Sequence, residues 1–127
     1  MRVSLVSEAE RTLVQDETVP ATFIPFNYSS AAAEAQARAS SGAGYLYGFT
    51  VSNANAAARF ILLFDSQKLP SNGDVPAASF QVAATASAGA NWIPPRRMNQ
   101  GTILCASTTQ NTLTLATADH IFDVQYV

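Results

Sequence analysis

Groups that do chemistry are scarce in this chain. Its 127 residues include one His, one Cys and a single lysine, Lys68, so the usual general bases, activated nucleophiles and soft metal ligands are nearly missing. Charge is scarce as well. Asp, Glu, Lys and Arg make up 13% of the residues, about half the share in an average globular protein. The formal net charge of -2 leaves no cluster of Lys and Arg able to neutralise a run of phosphates, which argues against DNA or RNA as a direct partner. No stretch nears the roughly 18 uninterrupted apolar residues of a membrane span, and no apolar signal-peptide core follows Met1-Arg2. The expectation is no membrane contact, and synthesis in a cytosol. A lone cysteine forms no internal disulfide. Cys105 sits in the apolar run Thr102-Ile103-Leu104-Cys105-Ala106 and reads as a buried thiol.

What is abundant is apolar and neutral polar. Apolar residues make up 48% of the chain, far from the disordered class and enough for one core at this length. With so little charge, much of the surface must be Ser, Thr, Asn, Gln and Ala. Such a surface suits a protein packed against copies of itself or against a shell better than a free monomer. The acidity lies early: residues 1–40 carry three basic and five acidic side chains, and residues 41–127 carry four of each.

The first 20 residues, with Glu8, Glu10, Asp16 and Glu17 among Arg2, Arg11 and scattered Val and Leu, form an N-terminal arm ahead of a β-domain at 21–127. Two readings of the arm stand side by side. It is either a frayed terminus or an edge strand at residues 3–6, or else an extended segment that orders on a neighbour.

From residue 21 onward the pattern is short strands between turns. Phe23, Ile24, Phe26 and Tyr28 make an aromatic run that Pro25 confines to an edge or a bulge. Residues 33–40 are alanine-rich, which favours helix, yet they alternate small and polar side chains with period two. The period places all four polar groups on one side of a strand, whereas a helix would wind them round its axis. After the turn Ser41-Gly42-Ala43-Gly44, a strand over 45–53 shows Tyr45, Tyr47, Phe49 and Val51 on one face and forms a hairpin with 33–40. Arg59-Phe60-Ile61-Leu62-Leu63-Phe64-Asp65 is nearly all apolar, the signature of a strand covered on both faces. Residues 69–76 are turn formers. A strand over 78–85, a glycine turn at 86–90 and Asn91-Trp92-Ile93, halted by Pro94-Pro95, come next. Strands over 101–107, 112–116 and 120–127 close the chain. About eight strands at this spacing predict an all-β, antiparallel β-sandwich. An open barrel is the alternative, and a solenoid lacks the internal repeat it needs.

Few side chains offer a site. Asp119, His120 and Asp123 are close in sequence, but on a strand 120 and 123 face opposite ways, which disfavours a shared metal ion. Asp74 lacks the ligand spacing of a calcium loop, Gly42-Ala43-Gly44 leads into a strand where a phosphate loop needs a helix, and the sequon Asn27-Tyr28-Ser29 has no secretory signal to give it weight. An enzyme would have to gather Asp65, Asp74, Asp119 and Asp123 by folding. The expectation is no catalytic residue, no cofactor and no metal. Trp92 with Arg96 and Arg97 on a proline-stiffened segment has the makeup of an interface hot spot; the plainer alternative is a core tryptophan beside solvated arginines. Arg2, Val3, Leu5, Val6, Leu13 and Val14 of the arm complete the candidate interface.

Three stretches carry a family resemblance: Tyr45-Leu46-Tyr47-Gly48-Phe49-Thr50-Val51-Ser52-Asn53 running on to Arg59-Phe60, the loop Leu69-Pro70-Ser71-Asn72-Gly73-Asp74-Val75-Pro76, and the ending Asp119-His120-Ile121-Phe122-Asp123-Val124-Gln125-Tyr126. Over residues 40–127 the chain resembles small structural proteins of tailed bacteriophages, and in length and its extra N-terminal segment it is most similar to head decoration or cement proteins. The resemblance implies a jelly-roll-like sandwich that binds and does not catalyse, made in the host cytoplasm and placed on the head surface of the virion. Its partners would be the major capsid protein and copies of itself, as a dimer or a trimer. The other role implied is a tail- or fibre-associated module for host recognition or tail assembly, with Trp92 and tyrosines lining a pocket.

Overall fold

A computed structural model describes residues 24–127. The expected arm at 1–20 and its candidate contacts Arg2, Val3, Leu5, Val6, Leu13 and Val14 lie outside the described residues.

Eight strands follow one another: β1 (Phe26–Ser29), β2 (Gln36–Ser40), β3 (Gly44–Asn53), β4 (Arg59–Phe64), β5 (Ala78–Val82), β6 (Ser87–Met98), β7 (Thr102–Ser107) and β8 (His120–Tyr126). They pair as nested hairpins, β1 with β8, β2 with β7, β3 with β6 and β4 with β5, all antiparallel. Added pairings of β3 with β8 and β4 with β7 roll this long hairpin into two four-stranded sheets, β1-β8-β3-β6 and β2-β7-β4-β5. This is the topology of a jelly roll, in which successive strands switch between facing sheets except at the central β4–β5 hairpin.

Apolar alternation places the core. Leu46, Phe49, Val51, Phe122 and Val124 from one sheet meet Ala37, Ile61, Leu63, Val82, Leu104 and Ala106 from the other. On β4 and β7 the intervening side chains, Leu62, Phe64, Ile103 and Cys105, face away from that core and are buried too, forming a second cluster with Leu113. The two loops that cover them are joined by backbone bonds: Gly73 N donates to Leu113 O at 2.8 Å and Leu113 N to Asp74 O at 2.9 Å. Burial on both faces, read from the sequence of β4, therefore comes from a sheet on one side and loops on the other.

The strand over 33–40 is present, beginning at Gln36, with Ala37 inward and Arg38 exposed. β1 is an edge strand with Pro25 just ahead of it. Four expectations need correction. The segments 33–40 and 45–53 do not form a hairpin; β2 and β3 lie in opposite sheets, and residues 41–43 cross between them. Tyr45 does not share a face with Phe49 and Val51. An irregularity in the ladder between Leu46 and Gly48 shifts the phase, so Leu46 is buried and Tyr45 is outside. Of the expected turn at 86–90, residues 87–90 are strand, with small side chains suited to close packing; the turn is at 83–86, where Thr85 takes a φ of 49°. Residues 112–116 form no strand. They are a covering loop with an isolated bridge from Leu115 to Ser107.

Candidate interaction surface

The segment Trp92-Ile93-Pro94-Pro95 stays within β6, an edge strand, where prolines are tolerated because no further strand needs their missing N–H. β6 pairs with β3 on both sides of it: Asn91 opposes Gly48, and Arg96 opposes Leu46. Four residues, 92–95, thus stand opposite the single residue Tyr47, and the strand must bow outward. The bow splits its side chains. Trp92 turns in and packs against the core, with ring centres 6.2 Å from Phe49 and 5.9 Å from Phe80. Ile93 turns out and is 96% exposed. Of the two readings of Trp92, core packing describes its ring.

The arginines that follow are placed by neighbours. The Arg97 guanidinium lies 5.7 Å from the centre of the half-exposed Tyr45 ring, a cation–π contact across the β3–β6 pair. Arg96 lies in the field of Asp65 at the end of β4. Burial would push the Asp65 carboxyl up, but backbone N–H groups of Asn99, Gln100 and Gly101, at 2.9, 2.7 and 3.2 Å, and the Arg96 charge together hold it below 3.8. Asp65 thereby fastens the turn between β6 and β7 to β4. Gly101 is required there, because a Cβ would lie 2.7 Å from the Ser40 carbonyl oxygen and closer still to that of Ser66.

Beside this turn a cleft of about 430 Å³ opens, lined by Phe64, Asp65, Ser66, Pro70, Asp74, Val75, Pro76 and Ala77. Its lip is the turn-forming loop 69–76, closed by a bond from Ser71 N to the Asp74 carboxylate at 2.8 Å. Val75 is 74% exposed.

The remaining candidates are separated by the fold. His120 is fully buried at the start of β8, stacked at 6.2 Å on Phe122, and Asp123 faces outward, where Ser29 Oγ donates to it at 3.2 Å. Asp119 accepts from Asn55 Nδ2 at 2.8 Å and from the Thr117 hydroxyl. Cys105 is in the cluster beneath the loops, where burial pushes its thiol up to about 12. Among the described residues no three His, Cys, Asp or Glu side chains gather as metal ligands would. Sequence reasoning reached Trp92, Arg96 and Arg97 but missed Ile93 and the cleft. The Pro-Pro pair was the available signal for Ile93, since a strand interrupted by prolines must bow; the cleft left none, because its lining is assembled from a strand end and a loop.

Comparison with models of protein families, with curated proteins and with solved structures finds no match for this chain.

Proposed function

We propose that this protein is a bacteriophage head decoration protein, a jelly-roll sandwich that binds between major capsid subunits and stabilises the shell. The observation that carries the reading is where the resembling motifs fall. Leu46, Gly48 and Val51 of β3 are paired directly with Tyr126, Gln125 and Phe122 of β8, so stretches some 70 residues apart in sequence form one structural unit at the centre of a sheet. A likeness carried by paired scaffold residues is a likeness of framework, which is what a shell protein contributes.

Mechanically, such a protein works by gripping several subunits at once. Each contact can be weak, because once one is made the others form at high effective concentration, and the joint stays closed against pressure from within. The arm at 1–20 would extend that grip by lending main-chain hydrogen bonds to a neighbour's sheet edge.

The test is to mix purified protein with expanded heads that lack it, sediment them, and trace the bound chain in a particle reconstruction. Many copies on the head shell, with heads that withstand more heat than bare ones, is the expected result. A handful of copies at the tail tip would replace this reading with the tail-associated one.

A further inference from the structure

Two features on one flank of the sandwich carry apolar surface and opposite charge. β5 and β6 are the edge strands of that flank, bridged by the Phe80 and Trp92 rings. The first feature is a knob, Ile93, held out by the bowed strand and followed by two prolines and two arginines. Single exposed apolar residues are ordinary. This one is nearly free of contact and is carried by a backbone the prolines stiffen, so little freedom is lost when it is seated. The second is the cleft at the end of β4 and the approach to β5, where Phe64, Pro70, Val75 and Pro76 supply apolar lining and Asp65 and Asp74 supply negative charge. Ile93 stands exposed while the cleft of the same chain is open, so the knob does not fill its own cleft.

We propose that the protein pairs with a second copy of itself, each Ile93 seated in the 64–77 cleft of the other, with Arg97 of one protomer facing Asp74 of its partner. Arg96 lies in the field of Asp65 of its own chain, so Arg97, over the exposed Tyr45 ring, and Asp74, at the lip of the cleft, are the charges taken to meet. Because knob and cleft share a flank, a two-fold axis between facing flanks satisfies both at once, as a self-complementary interface requires. The shared burial also covers the β6 edge, which a lone sandwich leaves open to unwanted strand pairing.

The inference is independent of the shell reading, since pairing is measured on purified protein and attachment on heads. Sedimentation of the full chain is expected to show a concentration-dependent dimer. Ile93→Asp should weaken it by roughly a hundredfold to ten-thousandfold, the loss expected when both copies unseat one such side chain, with no change in the melting temperature of dilute, monomeric protein. Arg97→Asp and Asp74→Arg should each be monomeric alone yet pair when mixed, because a mixed dimer restores opposite charges at both contacts. A wild-type chain that stays monomeric into the millimolar range, a dimer that survives Ile93→Asp, or a variant mixture that fails to pair would each overturn the proposal. A monomer whose attachment to heads is lost in Ile93→Asp would overturn it too, by giving the knob to another protein.

Discussion

His120 is an ionisable side chain shut away from water. It is fully buried, and neither ring nitrogen has a hydrogen-bond partner among the described residues. Burial holds its pKa below the 6.5 of a free histidine, with the Arg59 charge acting the same way, and the Asp119 charge and the nearby Thr117 backbone, which is too poorly aligned for a full hydrogen bond, opposing. The unfolded chain therefore takes up a proton near pH 6.5 while the folded chain resists until the pH is lower. Stability is complete above about 6.5 and is lost as pH falls toward the folded value. Asp65 and Asp119, both held below 3.8, lose their contributions only at more acid pH. Replacing His120 with Leu removes two unpaired nitrogens at nearly the same volume. We expect thermal melts of His120→Leu to show a flatter decline between pH 7 and pH 5 and a higher midpoint than wild type at pH 5; an unchanged slope would assign the acid sensitivity elsewhere.

At the scale of the element, β6 holds two opposite roles in adjacent residues. Trp92 joins Phe49 and Phe80, whose rings are 5.2 Å apart, and ties the two sheets at their open flank. Truncating it to Ala should cost about 3 kcal/mol in denaturant unfolding of dilute, monomeric protein, the order found for large aromatics removed from packed sites, whereas Ile93→Asp next to it should stay within about 0.5 kcal/mol of wild type under the same conditions. Comparable losses in the two variants would mean that the bow does not separate core from surface. The sequence conveyed part of this element. Trp92, Arg96 and Arg97 stood out by type, but Pro94-Pro95 read as a stop because proline cannot donate to a ladder. That rule does not end a strand whose outer side has no neighbour. Likewise Ala88-Gly89-Ala90 read as a turn, although its small side chains fit a strand where Gly89 lies tight against the Phe49 carbonyl.

At the scale of the whole molecule, the two apolar clusters among the described residues draw on 28–124 and on 60–113. A chain lacking residues 1–20 should melt within a few degrees of the full protein, a shift worth about 1 kcal/mol or less, and on the proposed shell reading should bind heads more weakly. Truncated protein that binds as well as the full chain would remove the arm from the attachment mechanism. Strand content, the all-β class and the doubly covered β4 were determined by the sequence alone, because alternation and apolar runs are local properties that any pairing must respect. The second buried face of β7, the crossing at 41–43 and the phase shift at Tyr47 were decided only by tertiary structure. Each depends on which strands become neighbours, and the nested pairing brings Leu46 beside Tyr126 from 80 positions away. The knob and the cleft belong to that second group for the same reason: one exists because β6 has no strand beyond it, and the other because a loop folds back over the end of β4.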